Sequence, residues 1–232
     1  MKMRIALVIG SLWFAGAAIA QDELPPARNA QAVEFKDRRE KASYGFGYQI
    51  GHNLHRMRMD LSWEMLVRGL QTGLRGEKPA APEQELLTAM QEHERVVRTK
   101  VAATNKQEGE AFLKANKEKP GVTTLDSGLQ YQVLQEGKGP KPKVTDRVRT
   151  HYHGTLIDGT VFDSSVERGE PVTFGVSEVI PGWSEALQLM SVGSKWRLFV
   201  PSELAYGVQG AGPDIGPNSV LIFEVELLGI EQ

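Results

Sequence analysis

The 232-residue chain contains no cysteine. Disulfide bonds, thiol catalysis and lipid attachment at an amino-terminal cysteine are therefore excluded. The chain also lacks an excess of charge of one sign, since 27 basic and 29 acidic residues give a formal net charge of -2. Binding to nucleic acid or to an anionic membrane surface would favour a clustered basic excess, so we expect neither as a partner.

Long apolar runs are confined to the first twenty residues. There, two basic residues precede an apolar stretch at 5–18, and the Ala-Ile-Ala sequence at 18–20 has the small-x-small form that a signal peptidase accepts. We predict a signal peptide over residues 1–20, cleaved before Gln21, and an exported protein of the bacterial periplasm. A membrane anchor is disfavoured, because a spanning helix needs about 20 apolar residues. The sequence leaves open a final location at the outer membrane or the cell surface.

Apolar residues between positions 34 and 76 recur at helical rather than alternating spacing. Two faces result, formed by Phe46, Ile50 and Leu54 in the first case and by Met65, Leu66, Leu70 and Leu74 in the second. We predict two short amphipathic helices, the second capped by Ser62. Two such helices cannot hide both faces from water, so a second copy of the chain is the simplest partner. Residues 21–78 are thus a predicted helical dimerisation region.

Residues 79–120 are predicted to contain a long linker helix. Pro79 and Pro82 break the chain before it, and Pro120-Gly121 ends it. From Glu83 to about Lys117 the apolar residues are sparse and charges of both signs surround them, which is typical of a largely solvated helix. About 35 residues at 1.5 Å each would span roughly 50 Å.

The remaining residues, 121–232, alternate apolar and polar positions as antiparallel strands do. Val148, Thr150, Tyr152 and Leu156 share one face of a predicted strand, and Leu221, Phe223, Val225 and Leu227 share one face of another. Asp158-Gly159 is a predicted turn. Between the strands, Trp183, Leu187 and Met190 follow helical spacing and predict one short helix across the sheet, ending near Gly193. The fold class is α+β, with an antiparallel sheet wrapped around one helix.

Aromatic and aliphatic side chains run through this domain with almost no titratable group near them except Asp163. They are Tyr152, Phe162, Val179, Ile180, Trp183, Tyr206 and Phe223. This combination indicates an apolar ligand pocket with one polar guide.

Three other kinds of site find little support. No cysteine or second carboxylate stands at ligand spacing beside the histidines, which we interpret as surface residues, so no metal site is expected. The glycine-rich segment 207–216 lacks the Lys-Ser/Thr of a phosphate loop and contains Pro213, so we interpret it as a flexible flap over the pocket. Ser164 and Ser165 lack the G-x-S-x-G pattern of serine hydrolases.

Four segments of the carboxy-terminal region resemble the FKBP family of peptidyl-prolyl cis/trans isomerases. They are HYHGTLIDGTVFDSS (151–165), EVIPGWSEAL (178–187), LAYG (204–207) and SVLIFEVEL (219–227). Four matches in order over about a hundred residues are far more specific than one short motif. Two further segments, YGFGYQIGHNL (44–54) and WEMLVRGLQTGL (63–74), are similar to the amino-terminal region of the subgroup that includes macrophage infectivity potentiator. In that subgroup the resemblance implies interlocked homodimers.

The resemblance also implies a site that works without a cofactor. Its catalytic residues would be Tyr152, Phe162, Asp163, Tyr206 and Phe223, and its substrate-binding residues Val179, Ile180, Trp183 and Ile215. Trp183 would lie beneath the proline ring, Tyr206 would hydrogen-bond a substrate carbonyl, and Asp163 would orient the twisting amide without transferring a proton. A plain turn residue is the alternative for Asp163. The family further implies binding of an FK506-type macrolide, although Val172 replaces an aromatic that eukaryotic members often carry and opens the rim.

Two functions remain in competition at this point. The first is an exported prolyl isomerase that assists the folding of exported proteins. The second is a non-enzymatic dimeric chaperone that binds unfolded polypeptides and uses the pocket only for binding. X-Pro peptides and unfolded chains are the expected partners in both cases.

Overall fold

The structure, a computed structural model, describes residues 33–231. The predicted signal peptide and residues 21–32 lie outside the described residues. Helix α1 spans Arg38–Arg56 and begins at Asp37, whose side chain accepts a hydrogen bond from the Glu40 amide at 2.8 Å. Helix α2 spans Trp63–Leu74, and Ser62 accepts from the Met65 amide at 3.4 Å, which confirms the predicted N-cap.

The predicted long helix is confirmed as α3, Glu83–Asn116. It starts directly after Pro82, which lacks the amide hydrogen that a continuing helix would need. From Val97 onwards one face of the helix differs from the expectation of a largely solvated helix, because Val97, Asn105, Gly109 and Asn116 are buried. These residues face the sheet domain. No helix within residues 33–231 combines the length and apolarity that crossing a bilayer requires.

Seven strands form one antiparallel sheet in the order β1-β2-β6-β7-β3-β4, with β5 paired to β3. Their bounds are β1 Val122–Thr124, β2 Gln130–Gln135, β3 Arg147–Leu156, β4 Val161–Ser164, β5 Val172–Gly175, β6 Lys195–Val200 and β7 Leu221–Glu231. Helices α4 (Ser165–Arg168) and α5 (Pro181–Leu189) and two 3-10 turns (Ser202–Leu204, Gly207–Gln209) connect them. The predicted α+β fold is confirmed.

Strands β3 and β7 form the centre of the sheet, and both alternate as expected. On β7, Leu221, Phe223, Val225 and Leu227 are buried while the residues between them are partly exposed. The predicted turn returns β3 into β4 through Gly159, whose φ of 87° is a left-handed conformation that glycine adopts without strain. The alternation places one face of each strand against α5.

Helix α5 packs across this face with Trp183, Ala186 and Leu187 buried. Pro181 occupies its first turn, where a missing amide hydrogen costs nothing. The helix ends at Leu189, so the predicted third position, Met190, is buried but lies just beyond the helix with an extended backbone. The division of the chain into four parts, with boundaries at residues 20, 78 and 120, stays a prediction.

Candidate active site

A cavity of about 550 Å³ opens between α5, β3, β4 and the flap, which we define as residues 207–216. All nine residues predicted for the site line it: Tyr152, Phe162, Asp163, Val179, Ile180, Trp183, Tyr206, Ile215 and Phe223. The fold thus brings together residues that are spread over 72 positions of the chain, from 152 to 223. A second cavity, of about 650 Å³, lies on the other side of the flap. Its lining contains no aromatic ring except histidine, so the smaller cavity is the better candidate for binding a proline ring.

The floor of the smaller cavity is built from aromatic rings in edge-to-face contact. Trp183 is 4% exposed, and its ring centroid lies 5.4 Å from Tyr152, 5.8 Å from Phe174 and 5.2 Å from Phe223. Phe162 stands edge-on to Phe223 at 5.4 Å. Such pairs are the geometry that aromatic quadrupoles prefer, and they leave little freedom to any single ring. The floor is therefore rigid and apolar.

Glycine is required where β3 passes beneath two of these rings. A Cβ atom at Gly154 would lie 2.7 Å from the Phe162 ring and 3.0 Å from the Phe223 ring. Gly154 pairs with Asp163 across β3 and β4. The missing side chain lets Phe162 fold over the strand, so that the neighbouring Asp163 reaches the cavity wall.

Asp163 lies at the polar corner of the cavity and has two partners. The Tyr152 hydroxyl donates to its Oδ2 at 2.5 Å, and Arg168 forms an ion pair with its Oδ1. Arg168 also donates to the Tyr152 hydroxyl oxygen at 2.8 Å. Together these three side chains form a closed triangle, which fixes the carboxylate in place.

The short helix α4 positions Arg168 for this role. Buried Ser165 accepts from the Tyr152 amide at 2.8 Å and thereby fixes the start of α4 against β3. Ser164 caps the helix, and Gly169 ends it with a left-handed φ of 81°. One turn is enough to return the arginine towards Asp163.

Local charges keep the triangle in one protonation state. Partial burial is the largest influence on the pKa of Asp163 and raises it, but the hydrogen bonds from Tyr152 and Arg168, with the guanidinium charge, lower the pKa below its ordinary value overall. Burial and the Asp163 hydrogen bond raise the pKa of Tyr152. At neutral pH the carboxyl group is thus ionised and the phenol is protonated. Neither group is adjusted for proton transfer near neutral pH.

The family can be assigned on two matches that together span most of the chain. The model of the family described as FKBP-type peptidyl-prolyl cis-trans isomerase matches residues 138–228, and that of the domain amino-terminal to such isomerases matches residues 39–133. The chain belongs to the FKBP-type peptidyl-prolyl cis-trans isomerase family. This confirms the resemblance that the sequence motifs indicated.

Individual relatives agree with the assignment to the FKBP-type isomerases. A 22 kDa FKBP-type peptidyl-prolyl cis-trans isomerase of Escherichia coli is 52% identical over 194 residues, which cover 82% of this chain and 94% of that protein. The outer membrane protein MIP of Legionella longbeachae is 43% identical over a match that covers 84% of this chain and 86% of that protein. The crystal structure of FkpA from Escherichia coli is 35% identical with a TM-score of 0.61, covering 85% of this chain and 99% of that chain.

Among the residues that the sequence reasoning missed are Phe174 and Glu178, which line the cavity, and Arg168, which lies outside the lining and acts through Asp163. Arg168 follows Asp163 by five positions, and only the turn of α4 and the glycine after it could have indicated that it folds back. Phe174 lies two residues after Val172 on β5. Both residues pair with β3, but only Phe174 lines the cavity. Period-two alternation was the available signal, since both side chains lie on one face of the strand.

The histidines of β3 are not the surface residues that we expected. His151 and His153 are half-buried, with Nδ1 atoms 3.1 Å from the Ser165 hydroxyl and 3.0 Å from the Ser164 hydroxyl. His93 is also half-buried, whereas His52 and His55 are exposed. Within residues 33–231 no group of three or more histidine and acidic side chains is placed to hold a metal ion.

Proposed function

We propose that the protein is an exported, homodimeric prolyl isomerase that assists the folding of exported proteins by stabilising the twisted X-Pro amide in the smaller cavity. The observation that supports this most strongly is a rigid aromatic floor with an ionised carboxylate fixed at one corner. Family membership supports the reaction itself. The residue roles, the dimer and the location are parts of the proposal.

The reaction suits a cavity that has no nucleophile at its centre. An X-Pro amide interconverts over a barrier of about 18–20 kcal/mol because rotation destroys the double-bond character of the C–N bond. No covalent bond breaks, so neither a nucleophile nor a general base is needed. The twisted amide is less polar than the planar one, and an apolar, water-poor pocket therefore favours it. Lowering the barrier by about 6–8 kcal/mol would accelerate the reaction about 10⁴- to 10⁶-fold.

Each part of the lining then has a role. Trp183 supports the proline ring from below, and Val179, Ile180, Ile215, Phe162 and Phe223 enclose it. Tyr206, which is 41% exposed at the rim, donates its hydroxyl hydrogen to a carbonyl of the substrate. The fixed Asp163 carboxylate orients the amide dipole as it twists, without transferring a proton. The same slot would accept the ring of an FK506-type macrolide in competition with peptide.

The dimer is proposed to form through residues 21–78. Neither α1 nor α2 buries any residue within the single chain. Phe46, Ile50, Met65 and Leu70 are all exposed. A second copy of these helices would cover the faces, and the match to the domain amino-terminal to FKBP-type isomerases supports this assignment.

Export is proposed from the predicted signal peptide, and the periplasm is the proposed location. One relative carries the name outer membrane protein, which supports a site of action beyond the inner membrane. Amino-terminal sequencing of the protein recovered from a periplasmic extract tests both points. We expect a chain that begins at Gln21, and an intact Met1 in the cytoplasmic fraction would contradict export.

A protease-coupled isomerisation assay on an X-Pro tetrapeptide tests the site. Asp163→Ala and Phe223→Ala should each lower kcat/KM at least about tenfold, because one removes the fixed charge and the other a cavity wall. Glu167→Ala is a matched control on α4, since Glu167 neighbours Arg168 but lies outside the cavity lining. Wild-type activity in folded Asp163→Ala and Phe223→Ala variants would show that the reaction occurs elsewhere.

A dimeric chaperone without catalysis is the second candidate, and the apolar cavity favours it as a site used only for binding. Suppression of aggregation of a proline-free client measures this activity separately from isomerisation. The two activities can coexist. A protein that protects the client but leaves the tetrapeptide at its uncatalysed rate would be a chaperone only.

A further inference from the structure

The flap separates the two cavities and contributes to both. Its inner side lines the smaller cavity through Ile215, which is buried at 8% exposure. Its outer side lines the larger cavity, whose opposite wall comes from the end of α1 and from α3. Residues 212–215 belong to both linings. The position of the flap therefore determines the shape of the smaller cavity.

Helix α3 holds the start of the flap through an arginine. Arg98 Nη2 donates to the carbonyl oxygens of Val208 at 3.3 Å and Gln209 at 2.7 Å. These carbonyl groups are the second and third of the flap. Arg98 itself is exposed, so its substitution disturbs no core packing.

The same face of α3 holds the residues that follow the flap. Asn105 is 8% exposed, and its Nδ2 donates to the carbonyl oxygen of Pro217 at 2.9 Å and to the Ser219 hydroxyl at 3.2 Å. Between the two attachments, Asn218 Nδ2 donates to the Ala102 carbonyl at 3.1 Å. Positions 98, 102 and 105 are four and three residues apart and so lie on one helix face.

A further contact links Asn105 to the segment after α1. Arg58 Nη1 donates to Asn105 Oδ1 at 3.2 Å, so the buried amide uses both its oxygen and its nitrogen. At the flap tip, Arg56 forms an ion pair with Asp214. All of these anchoring side chains except Asn218 come from outside residues 138–228, the part that matches the isomerase domain itself.

We propose that Asn105 is a positioning residue for isomerisation, which acts from the linker helix by fixing the flap and hence the Ile215 wall of the pocket. The inference rests on the proposed function, because it requires that the smaller cavity be the prolyl site. An unfastened flap occupies its binding position only part of the time. The apparent affinity for substrate falls by that fraction, while the chemistry in the closed pocket is unchanged.

The test separates KM from kcat in the whole protein with an X-Pro tetrapeptide. Asn105→Ala should raise KM about tenfold and leave kcat within about twofold. A purely structural role would give the opposite result, since a smaller folded fraction lowers the apparent kcat and leaves KM alone. Asn116→Ala is the matched control, because Asn116 is a buried asparagine on the same helix that donates to Gln130 at 2.9 Å, away from the flap. Its KM should equal that of the wild type.

Arg98→Ala keeps the test decisive if Asn105→Ala fails to fold. It should raise KM about threefold, whereas Arg95→Ala, an exposed arginine on the same helix, should not. A double variant with Ile215→Ala adds a second criterion. If Asn105 acts through that wall, the fold increase in KM of the double variant should be smaller than the product of the fold increases of the two single variants.

The outcomes distinguish this inference from the site assignment. Wild-type KM in the folded Asn105 and Arg98 variants, with a large loss in Phe223→Ala, overturns the role of α3 and leaves the site standing. Wild-type activity in Phe223→Ala overturns the site and this inference with it. A raised KM in the Asn105 and Arg98 variants but not in the Asn116 and Arg95 controls, together with a large loss in Phe223→Ala, supports both.

Discussion

The amino-terminal helices and the carboxy-terminal sheet both carry regularly spaced apolar residues, but the single chain buries only those of the sheet. Phe46 on α1 is 70% exposed and Leu74 at the end of α2 is 88% exposed. Leu198, Leu221 and Leu227 in the sheet are fully buried. Periodicity thus identifies a face that must be covered, whereas the covering element can belong to the same chain or to another.

Helix α3 belongs partly to each region. Leu86, Leu87 and Met90 in its first half are exposed, whereas its second half covers the outer face of the sheet. There a Cβ at Gly109 would lie 2.7 Å from the Val220 side chain, and Phe112 stands 6.0 Å from Phe199. The two regions therefore meet within α3 and not at its end.

The largest expected effect is on association. Phe46→Asp should raise the dimer dissociation constant at least about a thousandfold, or about 4 kcal/mol, because it would bury an unpaired charge in the proposed interface. Sedimentation velocity of the mature protein measures this directly. Lys41→Asp, five residues earlier and on another face of α1, is the control and should stay dimeric. A monomeric wild type would show that the apolar faces have a different partner.

Core substitution should come next in size. Leu198→Ala removes fully buried methyl groups from β6 and should lower the free energy of unfolding by about 3 kcal/mol. Leu74→Ala, made in the monomeric Phe46→Asp variant, should change the free energy of unfolding by less than about 0.5 kcal/mol. Denaturant titration followed by circular dichroism compares them. Equal losses would mean that α2 is packed within the single chain.

Two truncated chains test where, within α3, the amino-terminal region ends and the sheet domain begins. A chain that starts at Pro79 should be monomeric and keep kcat/KM on a tetrapeptide within about threefold, because α3 still fastens the flap. A chain that starts at Gly121 retains the buried core cluster but loses α3, and its KM should rise about tenfold. Both should act less efficiently on a long unfolded client, since two tethered sites gain avidity in a dimer. Identical KM values for the two truncated chains would contradict the boundary.

The smallest effect concerns the charge in the pocket. Arg168→Ala should lower kcat/KM about fivefold by loosening Asp163. It should also move the acid limb of the pH profile to higher pH, because the pKa of Asp163 then rises towards its ordinary value of 3.8. Arg168→Lys should restore part of the rate, since it keeps the charge but not the two-point geometry. Superimposable acid limbs for wild type and Arg168→Ala would show that Arg168 does not control Asp163.

The same shift fixes the sign of the contribution that Asp163 makes to stability. The pKa of Asp163 is lower in the folded than in the unfolded protein. Its contribution to stability is therefore fully present above the pKa of the unfolded state, and it is lost as the pH falls through the pKa of the folded state. The difference in melting temperature between wild type and Asp163→Asn should accordingly shrink in acid.

Much of the fold could be predicted because its signals are local. Ser62 caps α2 through a residue three positions away, and the alternation along β7 needs only its own residues. Eight of the nine site residues lie in the family motifs, and Ile215 lies between two of them. The structure places all nine around one cavity. The sequence predicted a helix that includes Met190 and ends near Gly193, whereas α5 ends at Leu189. Met190 is buried like a helical core residue, but its backbone is extended. Burial and helicity are separate properties that periodicity alone does not distinguish.

By itself the sequence indicated strands β3, β4 and β7, helices α1, α2, α3 and α5, and the family, since these depend on spacing and on neighbours a few positions apart. Only the tertiary structure decided how Arg168 returns to Asp163 and how α3 reaches the flap. Arg98 and Gln209 are 111 positions apart, and Asn105 and Pro217 are 112 apart. Hydrogen bonds over such separations depend on where folding places two surfaces, because a backbone carbonyl can accept from any donor that comes within reach. The motifs therefore predicted the residues of the pocket, but they did not predict the hydrogen bonds that attach the flap to α3.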